Sequence, residues 1–344
     1  MDTLKKPERE RVVENLNRGL HHAFATDEQV FLIGEDILDP YGGAFKVSKG
    51  LSSKYPDRVL TTPISESAIV GIAGGLALCG EKPIVEIMFG DFVALSFDQI
   101  LNFASKSVSM YGQPLTFNMV VRCAIGGNRG YGPTHSQSLQ KHFIGIPNLY
   151  LFELSPFHDN VELIQKLINL SSPCILFEDK VLYTQRIYID GAIDDLFRYE
   201  FLDKNKNFVK VYSNGFESRN AVLITSGGVA HRCLAAARDL FINDEIETEI
   251  LVPAQLYPFD LEPIQEVLTT ADHIFVVEDS TAGGTWGSEV THIIYDQLWG
   301  KVKNKVTLIH SKDSIIPSSA HLERQVILQQ DDIYNVVKET ILHA

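Results

Sequence analysis

The sequence predicts an α/β protein built from two open, mainly parallel sheets, each with helices on both faces. Short apolar runs alternate with segments of helical spacing along most of the 344 residues, a pattern typical of parallel strands joined by crossover helices. The periodicity fades between about Val181 and Tyr212. We therefore predict one domain at residues 1–185, a connection at 186–207 and a second domain at 208–344.

The first half carries the clearest alternation of helices and strands. Residues 8–25 have helical spacing with one apolar side, and small residues at 68–77 indicate a closely packed helix. Further strands are predicted at VFLIGED from Val30, PIVEIM from Pro83, LTFNMVVR from Leu115, NLYLFEL from Asn148 and PCILFED from Pro173, and further helices from Phe97 and Asp159. A glycine-rich loop is predicted from Cys123 to about Gln137. Its backbone is permissive, and we expect it to be mobile until a ligand or partner orders it.

The second half repeats this pattern. Strands are predicted at AVLITS, TEILVP, HIFVVED and KVTLIH, with helices between and after them. The Gly-Gly turn after AVLITS leads into the helix VAHRCLAAARDLF, but it lacks the full G-x-G-x-x-G pattern of a dinucleotide site. The turn AGGTWGSE, at residues 282–289, is predicted to lead into another helix, where Trp286 has either an interface role or a local packing role.

Composition excludes several classes of function. A net charge of -14 argues against general binding to nucleic acid, because phosphate-backbone binders carry basic patches. No apolar run is long enough to cross a membrane, and the polar N-terminal stretch does not resemble a secretory signal. The four cysteines form no CxxC pair, so we expect them to be reduced and buried. A cytoplasmic protein is the expectation.

Glu66 is the most informative single residue. It stands in TTPISESAIVGIAGG, where an extended segment meets an apolar helix, and no further charge follows until Glu81. One interpretation is a carboxylate that stabilises the N-terminal end of the helix. The other is a poorly solvated carboxylate that holds the proton of a partner. The residues alone leave both interpretations open.

Several motifs together resemble one known family. In their order and spacing, TPISES, EIMFGDF, GPTHSQ and the C-terminal TAGGTWGSE are similar to the beta chains of pyruvate, branched-chain and acetoin dehydrogenase decarboxylase components. The resemblance covers nearly the whole chain, beginning at VFLIGEDILDPYGGAFKVSKGL. It implies the transketolase-like thiamin-diphosphate superfamily, with a pyrimidine-binding domain followed by a transketolase C-terminal-like domain.

The resemblance also implies roles for particular residues. Glu66 matches the family glutamate that hydrogen-bonds N1′ of the cofactor's aminopyrimidine and thereby activates the cofactor. Met88 and Phe92 match positions that pack around this ring. His135 matches a histidine on the substrate side of the pocket, where it would donate a proton or stabilise the oxoacid adduct. Arg122 aligns with a common family arginine that either organises the site or forms a structural ion pair.

One part of the superfamily pattern is missing from the sequence. The diphosphate of the cofactor is held through Mg²⁺ by a Gly-Asp-Gly sequence with a later Asn, and the nearest string here is Gly90-Asp91-Phe92 of the pyrimidine-side motif. The histidines show no spacing typical of metal ligands, so no metal site is predicted in this chain. We therefore expect thiamin diphosphate to be shared with an alpha subunit that holds Mg²⁺, in an alpha2beta2 assembly.

The function that follows is decarboxylation of a 2-oxoacid with transfer of the acyl group to a lipoyl acyltransferase. The first alternative is the pyrimidine half of a split transketolase-like or acyloin-forming enzyme without a lipoyl partner. The second is a non-catalytic scaffold paralogue, although such a protein has no chemical reason to retain Glu66, Phe92 and His135 together. The fold alone supports none of these, because this architecture hosts many functions.

Overall fold

The computed structural model describes residues 10–215 and 220–343. Within those ranges the strands are β1 Val30–Gly34, β2 Val59–Thr61, β3 Lys82–Ile87, β4 Val120–Ile125, β5 Tyr150–Glu153, β6 Cys174–Asp179, β7 Phe197–Phe201, β8 Phe208–Ser213, β9 Ala221–Thr225, β10 Thr248–Pro253, β11 Gln255–Tyr257, β12 His273–Thr281 and β13 Val306–Ser311. The helices are α1 Val12–Thr26, α2 Leu51–Lys54, α3 Glu66–Leu78, α4 Ser105–Ser107, α5 Asn160–Leu167, α6 Ala230–Asp244, α7 Gln265–Thr270, α8 Trp286–Leu298, α9 Ala320–Val326 and α10 Gln330–Leu342. A 3₁₀ helix at Gly90–Ser96 and a π-helical stretch at Gln99–Ala104 precede α4.

The first sheet has the order β11-β5-β6-β4-β3-β1-β2. All of its strand pairs are parallel except that of β11 with β5, so the predicted mainly parallel sheet is confirmed. β11 comes from the second half of the chain, and no periodicity in the sequence indicated that it joins this sheet. The strands are almost continuously apolar because helices cover both faces.

The second sheet has the order β13-β12-β9-β10-β8-β7. Strands β13, β12, β9 and β10 pair in parallel, whereas β8 is antiparallel to both β10 and β7. β7 lies inside the stretch predicted as a connection. The four strands and the α6 and α8 helices predicted in this half are confirmed.

Three apolar clusters separate the layers. Successive residues of a strand point to opposite faces. Thus Leu32 packs with α1 and α5, whereas Ile33 packs with α3 in a cluster that also contains Val276 and Trp286 of the second half. A third cluster lies between the second sheet and α6 and α10. The cluster with Ile33, Val276 and Trp286 contains residues of both sheets, so the two halves share one core.

Two boundaries differ from the sequence prediction. The ladder of β4 begins at Val120 rather than Leu115, and it continues to Ile125, past the predicted start of the loop at Cys123. Its neighbours determine these limits, because β4 pairs with β6 from Val120 through Ile125. The helix predicted from Phe97 is confirmed, with a π-helical stretch in its middle.

Cys79 and Trp286 settle two expectations. The prediction that all cysteines are buried was wrong for Cys79, which follows the last turn of α3 and is exposed; the other three are buried. Trp286 has the local packing role. It is 2% exposed, donates its indole N–H to the Leu256 carbonyl at 3.0 Å, and contacts the Phe259 ring.

A buried carboxylate joins the two halves. Glu153, at the end of β5, accepts hydrogen bonds from the backbone N–H of Gly228 at 2.7 Å and from Gln140 Nε2 at 2.6 Å. Gly227 needs to be glycine, because a Cβ there would lie 1.9 Å from the Leu154 carbonyl oxygen. The Gly-Gly turn before α6 therefore serves close packing between the halves.

Burial raises the pKa of Glu153 to about 7. The folded chain thus binds this proton more tightly than the unfolded chain, which favours folding below pH 4.5, and this advantage is lost as pH rises through 7. We expect the effect of Glu153→Gln on the free energy of unfolding to depend on pH. Between pH 4.5 and pH 8, this effect should become more stabilising by about 3 kcal/mol. Urea unfolding of both proteins across this range is the measurement. Glu28→Gln, at an exposed position, is the control; an effect of Glu153→Gln that does not vary with pH would contradict the prediction.

Candidate active site

The predicted site residues follow the carboxyl ends of neighbouring strands in the first sheet. β2, β1, β3, β4 and β6 lie side by side in parallel, so their carboxyl ends share one edge, which is where open α/β sheets bind ligands. Glu66 begins α3 shortly after β2, Met88 directly follows β3, and the loop with His135 follows β4. Glu66, Met88 and the His135 loop therefore lie at one edge of the sheet, as the residues of a single site would.

Glu66 is the first residue of α3 and is 5% exposed. It does not cap the helix, since Ser65 is the N-cap residue and the capping N–H groups receive no side-chain bond. Among the described residues no hydrogen-bond donor contacts the Glu66 carboxylate. A carboxylate that is nearly buried and lacks a protein donor can accept a hydrogen bond from a ligand.

Glu35 is a second carboxylate beside Glu66. It directly follows β1, and its buried Oε1 has no hydrogen-bond partner among the described residues. Burial raises the pKa of Glu35, and the negative charge of Glu66 raises it further. Two close carboxylates, one of which has a raised pKa, are suited to holding and passing a proton.

An aromatic cluster surrounds His135. Its ring lies edge-on to Phe89 at 4.6 Å and to Phe92 at 5.1 Å between ring centroids, and Tyr131 is 5.9 Å from Phe89. Met88, next to Phe89, is half-buried. The structure thus brings together His135 and Phe92, two of the residues predicted from the sequence, and adds Phe89 as a second ring against His135.

The loop that carries His135 is held by the second half of the chain. Gly126 begins the loop with a φ of 83°, which favours glycine, and a Cβ there would lie 2.8 Å from Asp179 Oδ2. The backbone N–H groups of Asn128 and Gly130 donate to the two carboxylate oxygens of Glu323, at 2.9 and 3.0 Å. Glu323 is 1% exposed. The glycine-rich loop is therefore anchored along its first part, where the sequence predicted mobility.

Buried polar groups lie beneath the aromatic cluster. Asp91 accepts a hydrogen bond from Gln137 Nε2 at 2.7 Å, while its buried Oδ2 has no partner among the described residues. The Lys180 side chain is 0% exposed, and its Nζ lies 5.8 Å above the Phe89 ring without a hydrogen-bond partner in the described part of the chain. Burial lowers the pKa of Lys180 to about 8, against the opposing charges of Asp179 and Asp91.

Arg122 forms a structural ion-pair network. In the middle of β4, its guanidinium contacts Glu86 of β3 and donates two hydrogen bonds, at 2.8 and 2.6 Å, to Glu178 of β6. Tyr183 donates to the same Glu178 carboxylate at 2.6 Å. All four groups are buried. Of the two roles left open for Arg122, this geometry gives it the ion pair, which joins three strands just before their carboxyl ends.

Sequence reasoning missed several groups at this edge. Glu35 and Lys180 carry a signal, because each follows an apolar strand that stops at charge (VFLIGED and CILFEDK). Phe89 stands inside the EIMFGDF motif. Glu323 carries no sequence signal, since it is almost 200 residues from the loop that it binds.

Neither a cluster of metal-ligating side chains nor a membrane-spanning helix is present in the described residues. Within residues 10–215 and 220–343, no group of three or more His, Cys, Asp or Glu side chains is arranged to hold a metal ion. No helix in these ranges is long and apolar enough to cross a membrane.

Comparison with known proteins identifies the family. Residues 12–185 match the family described as transketolase, pyrimidine binding domain, and residues 216–333 match transketolase, C-terminal domain. The beta subunit of acetoin:2,6-dichlorophenolindophenol oxidoreductase from Cupriavidus necator is 30% identical over 335 residues, which cover 95% of this chain and 96% of that protein. The chain belongs to the transketolase-like family of dehydrogenase beta subunits.

Other members of this family are similar over most of their length. The pyruvate dehydrogenase E1 component subunit beta of Cyanidium caldarium is 31% identical over 325 residues, or 94% of this chain and 95% of that protein. The chloroplastic beta-2 subunit of Arabidopsis thaliana is 29% identical and is matched over 77% of its length. The resemblance to dehydrogenase beta chains that the sequence predicted is confirmed.

Solved structures agree with the predicted fold. A split-gene transketolase, described as an inactive beta4 tetramer, superposes with a TM-score of 0.72 over 95% of this chain and 97% of that chain. Its sequence identity is 16%, so the likeness concerns the fold. Two transketolase-like α/β domains are therefore the architecture of this family member.

Proposed function

We propose that this chain is the beta subunit of a thiamin-diphosphate-dependent 2-oxoacid decarboxylase, the first component of a 2-oxoacid dehydrogenase complex. One observation carries the proposal: a buried carboxylate without a protein donor, Glu66, stands at the same sheet edge as the His135 aromatic cluster. The relatives named as pyruvate and acetoin dehydrogenase subunits support it. They favour neither a split transketolase-like enzyme nor a scaffold.

The residues at this edge fit the aminopyrimidine half of thiamin diphosphate. Glu66 would accept a hydrogen bond from N1′ of that ring, and Phe92 and Met88 would form an apolar wall beside it. The bound cofactor supplies the electron sink for decarboxylation. Glu66 holds the proton at N1′, and burial strengthens this interaction because water no longer screens it.

His135 would act on the substrate side. Its ring is fixed by Phe89 and Phe92, and its Nδ1 lies 3.0 Å from the Thr134 hydroxyl. This contact leaves Nε2 for the oxygen of a 2-oxoacid. We propose that Nε2 donates a proton to that oxygen or stabilises its charge, and that the acyl group then passes to a lipoyl acyltransferase.

The diphosphate and Mg²⁺ are proposed to be held by an alpha subunit, in an alpha2beta2 assembly. The relatives' names include the word subunit. The surface beside the site is also apolar: Ile64 is 82% exposed just before Glu66, and Ile72 on α3 is 54% exposed. Exposed apolar residues next to a site are typical of a protein interface, and a partner chain at this edge would also remove Glu66 from solvent.

We further propose the following organisation and location. Residues 1–185 form the pyrimidine-binding domain, 186–207 the connection and 208–344 the C-terminal domain. The cytoplasm is the proposed location. Fractionation of cells that express the full-length chain tests this location directly.

The first test is reconstitution with the candidate alpha subunit. We expect thiamin diphosphate with Mg²⁺ to bind the purified complex tightly and this chain alone weakly, because each chain would hold half of the cofactor. Isothermal titration of both preparations is the measurement, followed by a screen of 2-oxoacids. Tight, metal-dependent binding by the chain alone would place a diphosphate site here and contradict the division. Absence of binding by both would refute the proposed function.

Replacement of Glu66 tests the cofactor contact. We expect Glu66→Gln to leave the fold intact and to reduce the turnover of the complex by at least about 100-fold, because an amide cannot hold the N1′ proton in the same way. Circular dichroism checks the fold, and oxoacid-dependent turnover is the readout. Glu28→Gln is the matched control. Near-normal turnover of Glu66→Gln in the assembled complex would disprove this role.

Replacement of His135 separates chemistry from cofactor binding. We expect His135→Ala and His135→Gln to reduce kcat by about 10²- to 10⁴-fold, the range of a lost general acid, with little change in cofactor affinity. The glutamine variant retains a side chain between Phe89 and Phe92, and His142→Ala is the control for an exposed histidine. Loss of cofactor binding with unchanged residual chemistry would show that His135 serves the cofactor instead.

A further inference from the structure

A polar cleft lies between the second half of the chain and the His135 loop, and Glu66 is not among the residues that line it. It has a volume of about 780 Å³ and is bounded by α6, α9, the first turn of α10 and Asn128 of the His135 loop. This volume is within the range of small-molecule sites, about 300–1,000 Å³. Apart from Val181 and Ala235, its walls are polar. No part of the proposed decarboxylation uses it.

Three cationic side chains from different elements meet in this cleft. Arg232 comes from α6, Lys312 from the end of β13, and Arg324 from α9. One short segment connects them: the Lys312 N–H donates to the Val326 carbonyl at 2.9 Å, and Arg232 Nη1 donates to the Leu328 carbonyl at 3.0 Å. Positive groups are thus gathered around residues 324–328, although the whole chain is acidic.

Two of the groups lining the cleft have unused hydrogen-bonding capacity. Arg232 is 5% exposed and pairs with Asp279 at 3.0 Å through Nη1, but Nη2 has no partner among the described residues. The buried Nδ1 of His231 likewise lacks one there. Within residues 10–215 and 220–343, neither Lys312 nor Arg324 has a carboxylate oxygen within 4.0 Å of its charged nitrogen atoms. A buried guanidinium N–H without an acceptor is costly, and an oxyanion would satisfy it.

The remaining walls narrow the class of ligand. Asn128 and Gln329 contribute amides, and Asp331 and Asp332 contribute carboxylates, which are groups that hydrogen-bond hydroxyls. The imidazole of His231 is the one aromatic ring among the described residues that line the cleft, and no Phe, Tyr or Trp lines it. The ligand that matches both sets of groups is small, anionic at one end and rich in hydroxyls elsewhere.

We propose that this cleft binds a sugar phosphate, with the phosphate held by Arg232, Lys312 and Arg324 and the hydroxyls by the amides and carboxylates. The site goes beyond the proposed decarboxylation and does not depend on it. Because Asn128 also accepts a hydrogen bond from Gln329 Nε2 at 3.1 Å, a ligand here contacts the anchored part of the His135 loop.

Direct binding to the full-length chain tests this site. The probes are glucose 6-phosphate, inorganic phosphate and glucose. Their binding is measured by isothermal titration at low salt. We expect glucose 6-phosphate to bind more tightly than phosphate and glucose not to bind. Lys312→Gln combined with Arg324→Gln is expected to weaken glucose 6-phosphate binding by about tenfold or more, as for the loss of charged hydrogen bonds.

The control removes the same charge elsewhere. Lys301→Gln combined with Lys305→Gln, at exposed positions outside the cleft, is expected to leave the affinity unchanged. Hydrogen exchange should show protection at residues 230–236 and 324–332 when glucose 6-phosphate is added. The proposal is overturned if no phosphorylated probe binds at millimolar concentration, if glucose binds equally well, if both double variants weaken binding to the same extent, or if protection falls elsewhere. Because none of these readouts is activity, their failure would leave the decarboxylase proposal untouched.

Discussion

The buried ion pairs of Arg122 are the constraint on which the sheet edge depends. Its guanidinium lies between Glu86 and Glu178, so that β3, β4 and β6 are tied together near their carboxyl ends, two to four residues before Met88, Lys180 and the start of the His135 loop. Such a network is not a large source of stability, since desolvation offsets most of the Coulomb attraction. Separating one of these groups from the others, however, would leave an uncompensated buried charge. That cost disfavours any other register of the three strands. The geometry of the edge follows from that register.

Below this edge, the protein maintains several ionisable groups away from water. Glu66 is close enough to Glu35 for its charge to raise the pKa of Glu35. Lys180 and Asp91 form a second buried pair whose charges interact, although no hydrogen bond joins them. Unsatisfied buried groups are unfavourable for folding and are concentrated at functional sites. Their position at the carboxyl ends of neighbouring strands, with Lys180 against the Phe89 ring, is the physical reason to regard this edge as a site rather than as an ordinary end of a sheet.

Much of this organisation could be predicted from the sequence, and the failures have physical causes. Apolar runs that stop at charge located β1, β3 and β6 well, because strands buried on both faces leave a strong signal. The same signal misplaced β4, since Phe117 and Met119 are buried but lie outside the ladder, whose length depends on its neighbours. Motif resemblance found Glu66 and His135. Contacts between distant parts of the chain, such as those of Glu323, leave no local pattern.

Those distant contacts show that the first half does not form its edge alone. Glu323 holds the loop of His135, Glu153 holds the turn before α6, and Asp179 lies against Gly228. Each contact crosses from one half to the other, and each involves a carboxylate buried by both. A change in the position of α9 relative to the first sheet therefore moves the Asn128–Gly130 segment with it. A ligand that contacts α9 and Asn128 together favours the loop position to which it binds more tightly. By linkage, it shifts the equilibrium between two positions of the loop only by the difference in its binding free energy for them.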